Sequence, residues 1–359
     1  MGDGSQEIAA TARCTARAER AGVLRSLLIE RLGEVIGPGA RVGYLDFPFH
    51  TNPGDSMIFE GTMAAFAALS IDVVQLSDQA SYRAKDYVSL PADTVMVFHG
   101  GGNFGDLYPG IHARRLTELA DLADFRLVVM PQTLNVTDDS DAGIGETRRV
   151  LESLPHLSLL WRDRPSADLA SELFPSTRSL LVPDAAFGLK ALPRTPKQGL
   201  GRIGVLARTD AESAGQFSPD AEPWPVADWS YRGAGRGAAA AALAGDRALL
   251  RLIRRNPVLA RTGAARWLYR HHARLLTTIA RHGGLGRNDA VVVNRLHAWI
   301  AAVLTGVDVV AVESAPPKIG PMVSTWFPEE PPIAMTPTVA LERARALWCW
   351  RIGAPSRFR

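Results

Sequence analysis

The sequence predicts an α/β protein with two doubly wound, Rossmann-like domains whose parallel sheets face a cleft. Short apolar runs alternate with helical stretches along most of the chain, which is typical of a parallel sheet covered by helices. The runs are continuous rather than alternating, as expected for strands that are buried on both faces. At 359 residues the chain is long enough for two domains of roughly 150 residues each.

The first domain is predicted to occupy residues 1–190. An N-terminal helical segment over 1–40 ends at a glycine-proline-glycine stretch, and the alternation of strands and helices begins after it. Strands are predicted at 42–45, 73–76, 95–98, 127–130, 157–160 and 180–182. Helices are predicted at 56–69, 111–123, 142–153 and 166–173.

The second domain is predicted to occupy residues 200–335. A connector rich in proline and glycine, with Pro193, Pro196, Gly199 and Gly201, marks the boundary before it. Strands are predicted at 203–206, 290–293 and 307–311, and a helix at 295–305. Residues 336–359 are predicted to form a C-terminal helix, near 337–350, and a tail.

Composition excludes several classes of protein. The chain is 47% hydrophobic and 21% charged, close to the average for globular domains. Two cysteines are too few for a disulfide framework or a cysteine-rich zinc site, and no motif for a metal site stands out. The first residues do not resemble a secretory signal, and no apolar run reaches about 18 residues. We therefore expect a cytoplasmic protein without a bound metal or cofactor.

A glycine-rich stretch at residues 98–106 follows the third predicted strand, and ligands of open parallel sheets bind beyond the carboxyl ends of strands. Glycines let a ligand approach the main chain, and amides at a following helix start would hold an anion. The candidate residues are Gly101, Gly102, Asn103, Gly105 and Asp106. The stretch also fits G-x-G-x-x-G, but the next strand ends in Met130-Pro131-Gln132 without the acid that a dinucleotide site requires. A purely structural turn is the other alternative.

A second polar stretch, residues 50–55, follows the first predicted strand. Its Asn52, Gly54 and Asp55 repeat the order of Asn103, Gly105 and Asp106. Contact with a ligand and a role for Asp55 as a helix N-cap are both open for it.

Cations and a histidine follow strands of both predicted domains. Arg295 and His297 come where the 290–293 strand turns into a helix; arginine suits a carboxylate or phosphate, and histidine exchanges protons near neutral pH. Arg208 follows the first strand of the second domain, although it could pair with Asp210 instead. Arg162 and Lys318 are weaker candidates of the same kind.

Residues 229–287 form a basic segment, with twelve arginines and one aspartate. Within 264–282 one helical face carries leucine and isoleucine, and Arg266, Arg270 and Arg274 form a separate stripe flanked by Trp267. This pattern is typical of a helix lying on an anionic membrane. An ordinary domain helix with a buried apolar face is the alternative. Nucleic-acid binding has no recognition motif to support it.

Taken together, these stretches resemble the polysaccharide pyruvyl transferase family. The similar pieces occur in family order and cover about residues 42–325. They are Asn52-Pro53-Gly54-Asp55, Gly100-Gly101-Gly102-Asn103-Phe104-Gly105-Asp106, Arg162-Asp163-Arg164 with Ser166, Pro183-Asp184, Arg208-Thr209-Asp210, Arg295-Leu296-His297 and Lys318-Ile319. The segment 213–287 and the tail beyond residue 330 do not resemble the family.

The resemblance implies the architecture of two-domain glycosyltransferases of the B type (GT-B) and phosphoenolpyruvate as donor substrate. The product would be a pyruvate ketal on two hydroxyls of a sugar, within a glycan that is lipid-linked in some family members. Arg295 and His297 would lie at the donor site, with Arg208, Lys318 and Arg162 as further cations. His297 would serve as general acid or base, and Asp106 would accept the proton of the sugar hydroxyl.

Two other functions compete with pyruvyl transfer. A nucleotide-sugar-dependent glycosyltransferase would use the glycine-rich stretch to hold a diphosphate. A non-catalytic glycan-binding relative would keep the fold and lose the reaction. For pyruvyl transfer, residues 52–55 and 101–105 are the candidates for contact with the acceptor sugar or for loops beside it.

Overall fold

The α/β fold with parallel sheets is confirmed in the computed structural model of the chain. The structure describes residues 3–191, 203–207, 226–227, 238–256, 259, 262–280, 285, 288 and 290–351. Its strands are β1 Arg41–Leu45, β2 Asp72–Leu76, β3 Val95–Phe98, β4 Gly101–Gly105, β5 Arg126–Asn135, β6 Leu157–Trp161, β7 Arg178–Leu181, β8 Ile203–Leu206, β9 Val226–Ala227, β10 Ala290–Val293 and β11 Asp308–Ala311.

The helices follow the predicted alternation. They are α1 Asp3–Val35, α2 Pro53–Ala68, α3 Pro109–Asp121, α4 Asp141–Glu152, α5 Arg164–Leu173, α6 Ala238–Arg255, α7 Gly263–Ala280, α8 Leu296–Thr305, α9 Ile319–Trp326 and α10 Pro337–Arg351, with short 3₁₀ helices at Ala84–Asp86 and Ala185–Gly188. No helix within the described ranges is both long and apolar enough to cross a bilayer.

Seven strands form the larger sheet, in the order β2-β1-β3-β5-β6-β7, with β4 paired to the far end of β5. All these pairings are parallel. Alternate residues of one strand face different cores: Val95 and Val97 pack with α1 and α2, while Met96 and Phe98 pack with α3, α4 and α5. Burial on both faces explains why the strands read as continuous apolar runs.

A smaller parallel sheet has the order β11-β10-β8-β9. One face packs on α8 and α9, with Val291, Val293 and Trp299 in the same core, and the other face packs on α10. The predicted division of the chain near residue 190 stays a prediction, since residues 192–202 lie outside the described ranges.

Helix α1 belongs to both cores. Its Ala21 and Leu24 pack in the core of the smaller sheet, whereas Leu28 and Leu32 pack in that of the larger one. An ion pair at 2.6 Å between Arg17 Nη2 and a carboxylate of Glu330 adds a polar contact to the C-terminal part of the chain.

The apolar face of α7 is buried, so the membrane interpretation of that face is wrong. Leu268, Tyr269 and Ala273 belong to the core of the larger sheet, and α7 packs on α2. Asp78, which follows β2, holds the basic helices in place: it pairs with Arg254 at 2.9 Å and accepts a hydrogen bond from the Tyr269 hydroxyl. The helix is therefore an ordinary domain helix, the alternative that the sequence left open.

Candidate active site

Asp184 is a fully buried carboxylate on which an arginine and a histidine converge. It follows β7 and caps the 3₁₀ helix Ala185–Gly188, since its Oδ1 accepts the amide of Ala186 at 2.9 Å. Its Oδ2 accepts Nη1 of Arg162 at 2.9 Å and lies 3.4 Å from Nε2 of His297. Burial would raise the pKa of Asp184, but its interactions with His297 and Arg162 outweigh burial and hold the pKa below its usual range.

His297 reaches this carboxylate from the first turn of α8, in the C-terminal part of the chain. Arg295 adopts an extended conformation at the N-cap position, so that the helix begins at Leu296. The His297 ring lies against the backbone of Gly54 at the start of α2: a Cβ at Gly54 would lie 2.7 Å from Nδ1. A side chain at position 54 would therefore push the histidine away from Asp184.

Arg162 is buried at the carboxyl end of β6 and held from several sides. Its Nε donates to Oγ1 of Thr133 at 2.8 Å, and that hydroxyl donates to Asp163 at 3.0 Å. Asp163 also caps α5 by accepting the amide of Ser166. The arginine is thus fixed by the fold, with a second amino group, Nη2, directed at Gly102.

Lys318 faces the same glycine as Arg162. A Cβ placed on Gly102 would lie 3.0 Å from Nη2 of Arg162 and 3.8 Å from Nζ of Lys318. The carboxylate of Glu313 accepts the amides of Lys318 and Ile319 at 2.9 and 3.0 Å, which fixes the start of α9. Arg162 and Lys318, which are far apart in the sequence, therefore both approach the main chain at Gly102.

The glycine-rich stretch forms a strand rather than a turn into a helix, so the prediction of helix-start amides beside it is wrong. Gly101–Gly105 is β4, and α3 begins only at Pro109. β5 extends to Asn135 and gives β4 a pairing partner. Gly105 has a φ of 100°, and a Cβ there would lie 1.9 Å from the Asn135 carbonyl oxygen, so the position requires glycine.

Asn103 and Asp106 take structural contacts. The amide oxygen of Asn103 accepts Nη1 of Arg115 at 2.9 Å, and Arg115 in turn binds Asp46. Asp106 is exposed, and its Oδ2 accepts both the amide and the hydroxyl of Thr137. The two hydrogen bonds from Thr137 to Asp106 hold the loop after β5. The role of Asp106 as a proton acceptor stays a prediction.

Asn52, and not Asp55, is the N-cap of α2. Its Oδ1 accepts the Gly54 amide at 3.1 Å, and its Nδ2 donates to Oδ2 of Asp55 at 2.7 Å. Asp55, a quarter exposed, also pairs with His50 at 3.3 Å. Burial would raise its pKa, but His50 and His297 lower it below the usual range, so Asp55 is a carboxylate at neutral pH.

A second histidine, His99, lies buried beside Asp55. Its Nδ1 is 2.6 Å from the Tyr44 hydroxyl, and its backbone oxygen accepts Gln132 at 2.8 Å. Burial lowers the pKa of His99 to about 3, so its ring is neutral at pH 7. Nε2 has no hydrogen-bond partner among the described residues.

The structure brings together six of the residues that the sequence singled out. His297, Arg162, Lys318, Gly54 and Gly102 share one site through the contacts given above, and Asp55 is close enough to His297 and Arg162 for both to lower its pKa. Asn103, in β4 beside Gly102, binds Arg115, and Asp106, directly after β4, binds Thr137. Arg208 lies outside the described residues, so its role stays a prediction.

Asp184 was missed as a site residue although its motif was noted. The indication available in the sequence was its position directly after a strand, where Pro183 ends the pairing. Thr133 and His99 were also missed. Nothing in a single sequence distinguishes them from the many polar residues that only satisfy the backbone.

Comparison with known proteins gives a consistent answer. A sequence model of the family described as polysaccharide pyruvyl transferase matches residues 52–239, just over half of the chain. Pyruvyl transferase 1 of Schizosaccharomyces pombe is 31% identical over 189 residues, which cover 50% of this chain and 47% of that protein. The putative pyruvyl transferase EpsO of Bacillus subtilis is 26% identical over 189 residues, 53% of this chain and 57% of that protein.

The chain spans about half the length of these curated relatives. Among solved structures, that of a functionally uncharacterised protein of Klebsiella pneumoniae resembles this one with a TM-score of 0.50 at 18% identity. The match covers 85% of this chain and 95% of that one. Likeness at this level of identity bears on the fold alone.

Proposed function

Because the chain belongs to the polysaccharide pyruvyl transferase family, we propose that it moves the pyruvyl group of phosphoenolpyruvate onto two hydroxyls of a sugar in a glycan. The product is a pyruvate ketal, and inorganic phosphate is released. The observation that carries the proposal is the convergence of Arg162 and Lys318 on the bare backbone of Gly102, with His297 bound to the same carboxylate as Arg162.

The donor explains why so many cations are needed. Phosphoenolpyruvate carries a carboxylate and a phosphate on three carbons, and an arginine fork suits either group. Asp184 neutralises one of the site's positive charges by pairing with Arg162, and Lys318 and Arg295 are the further cations proposed to bind the donor. Arg208 is a further candidate. The absence of a side chain at Gly102 lets a ligand lie directly against the main chain beside both cations.

The reaction removes one proton from each of the two sugar hydroxyls and delivers one proton to C3 of the donor and one to the departing phosphate. A sugar hydroxyl adds to C2 of the donor while C3 is protonated to a methyl group. Phosphate then leaves, and a second hydroxyl captures the oxocarbenium-like carbon and loses its proton. Proton transfer by a placed side chain contributes about 10²–10⁴-fold to such rates.

His297 is the residue proposed to exchange these protons at the donor. Asp184 orients its ring, because Nε2 faces the buried carboxylate while Nδ1 lies over Gly54. Asp55 is the better-placed base for the acceptor hydroxyl than Asp106, because it is the residue next to Gly54 and stays ionised. The sequence had assigned this role to Asp106.

The glycosyltransferase alternative is less well supported than pyruvyl transfer. A diphosphate would bind amides at a helix start, and β4 offers extended backbone there instead. The wider GT-B arrangement, a lipid-linked acceptor, contact of residues 229–287 with an anionic membrane and a cytoplasmic location stay predictions. Flotation with anionic liposomes tests the membrane contact.

The decisive experiment measures thermal unfolding with phosphoenolpyruvate and phosphate release with a glycan acceptor. A ligand at 100 times its dissociation constant adds about 2.7 kcal/mol of stability, which a melting curve resolves. We expect a shift in the wild type that Arg295→Ala abolishes. A shift with a nucleoside diphosphate, and none with phosphoenolpyruvate, would favour the glycosyltransferase. No shift and no phosphate release with any donor would favour a non-catalytic relative.

A further inference from the structure

A cavity of about 400 Å³ lies between the edge strand β2 and helix α7, built from residues that the proposed reaction does not use. Its walls include Asp72, Arg266, Trp267, Arg270, His271 and Arg274. The volume falls within the range of small-ligand sites. None of these residues takes part in the contacts around Asp184, so the cavity is a separate site.

Three arginines, each one helical turn from the next, line the cavity, and they differ in how fully they are hydrogen-bonded. Arg266 donates to the Val74 carbonyl at 2.9 Å, and Arg274 pairs with Glu60 at 3.1 Å. Arg270 is half-buried between them, and its Nε is buried without a hydrogen-bond partner among the described residues. Burial lowers the pKa of Arg270, and the neighbouring arginines lower it further.

The charges around the cavity favour an anion. The three arginines face two carboxylates, Asp72 in the wall and Glu60 beneath it, so that arginines outnumber the carboxylates that act on Arg270. His271 is turned towards Asp246 at 2.9 Å. A carboxylate or phosphate in the cavity would balance charge beside Arg270 through a charge-assisted hydrogen bond to its guanidinium.

The exposed side chain of Trp267 indicates a second property of the ligand, an apolar face. Its side chain is 63% exposed and stacks on the His271 ring with centroids 5.0 Å apart and planes 17° apart. A large aromatic surface held flat at the rim of a cavity is costly to leave in water. It suits the apolar face of a sugar ring, whose C–H groups lie on one side and whose hydroxyls point outwards.

We propose that the cavity between β2 and α7 binds an acidic sugar residue, with the ring on Trp267 and its negatively charged group on Arg270. The choice of a saccharide rests on the proposed function; the anion site does not.

The test is calorimetric binding of two acidic oligosaccharides, hexagalacturonate and hexamannuronate, to the full chain. Methyl esters of the same oligosaccharides lack the charge and serve as matched ligands. We expect an acidic form to bind, and esterification or Arg270→Gln to weaken binding at least about tenfold, as for loss of a charged hydrogen bond. Trp267→Ala should weaken it without loss of thermal stability. Arg149→Gln, the same change on exposed α4, should leave it unchanged.

Lys318→Ala separates this proposal from the function of the main site. It should leave oligouronate binding intact even if donor binding is lost, or if phosphoenolpyruvate proves not to be the donor. Equal binding of acid and ester, no effect of Arg270→Gln, or no binding of either uronate would overturn the proposal. Pelleting with phosphatidylglycerol vesicles that needs Arg270, without uronate binding, would assign the cavity to a membrane surface instead.

Discussion

Nε2 of His297 lies 3.4 Å from Oδ2 of Asp184, so that the C-terminal part of the chain supplies a histidine to a carboxylate fixed by the N-terminal part. The same oxygen accepts Arg162. A buried charge is costly unless it is paired, and Arg162 supplies the cation that Asp184 needs. The pair and the arginine therefore form one unit.

Replacement of the Asp184 carboxylate tests whether Asp184, Arg162 and His297 act together. We expect Asp184→Asn to slow the reaction by roughly 10²-fold or more, because the ring of His297 loses the group that orients it. Thermal unfolding should show a loss of about 3 kcal/mol, since Arg162 stays buried without its counter-charge. Wild-type phosphate release by a folded Asp184→Asn variant would contradict this role.

A substitution at Gly54 is a second way to displace the ring of His297 without replacing that residue itself. Gly54→Ala places a methyl group against the ring, and a misplacement of about 1 Å can cost roughly 10²-fold in rate. Gly245→Ala is the matched control, because it lies inside α6 with no atom within 4 Å of the new Cβ. That control should be neutral or gain about 1 kcal/mol in stability. Equal activity of the two variants would rule out the steric argument.

Lys318 allows the donor site to be tested while the ion pair between Arg162 and Asp184 is kept. Lys318→Ala should weaken the binding of phosphoenolpyruvate roughly tenfold or more, as expected when a charged hydrogen bond is removed. The exposed Lys190→Ala makes the same change of charge away from the site. Isothermal titration of both variants checks this, and the idea fails if they bind the donor equally.

Asp55 and Asp106 compete for the role of base at the acceptor. We expect Asp55→Asn to lower the turnover rate by about 10²-fold or more. Asp106→Asn should mainly affect the loop at Thr137, with a smaller effect on rate. The initial rates of the two variants at saturating donor decide between them, and the reverse order would restore the assignment made from sequence.

The raised pKa of Glu118 predicts that the free energy of unfolding falls as the pH rises. Burial, with Asp46 nearby, raises the pKa of Glu118 to about 8, and its two oxygens lack hydrogen-bond partners in the described part of the chain. The unfolded chain loses this proton near pH 4.5, so the folded state holds more protons between pH 4.5 and 8. The protonated Glu118 therefore contributes its full stabilisation of the fold below pH 4.5. That stabilisation is lost between pH 4.5 and 8, by about 1.4 kcal/mol for each pH unit.

Glu118→Gln should remove its part of this slope between pH 6.5 and 8. The buried histidines, whose protons leave the unfolded chain near pH 6.5, add a slope of opposite sign that both proteins share. Urea unfolding at several pH values measures the slope of each protein. The variant should be more stable than the wild type at pH 8, since glutamine has no proton to lose. Identical slopes for the two proteins would show that Glu118 is ionised in the fold.

Much of the fold was predictable because its strands are buried on both faces, which makes them continuous apolar runs with little ambiguity. β4 was not, because glycine has low strand propensity and its pairing depends on how far β5 extends. The environment of α7 was equally hidden: its amphipathic pattern fits a membrane or a core, and only the packing of Tyr269 near Asp78 decides. Of the site, residues after strands were predictable, whereas Asp184 depends on which loops meet.

Helix α1 places a constraint on how the chain is made. Arg17 is synthesised 313 residues before Glu330, with which it pairs. Ala21 and Leu24 likewise belong to the core around α8 and α9, which is synthesised later. The larger sheet can assemble while the chain grows, but these residues of α1 stay uncovered until α8 and α9 have left the ribosome. Until then α1 exposes apolar side chains that can associate with other chains.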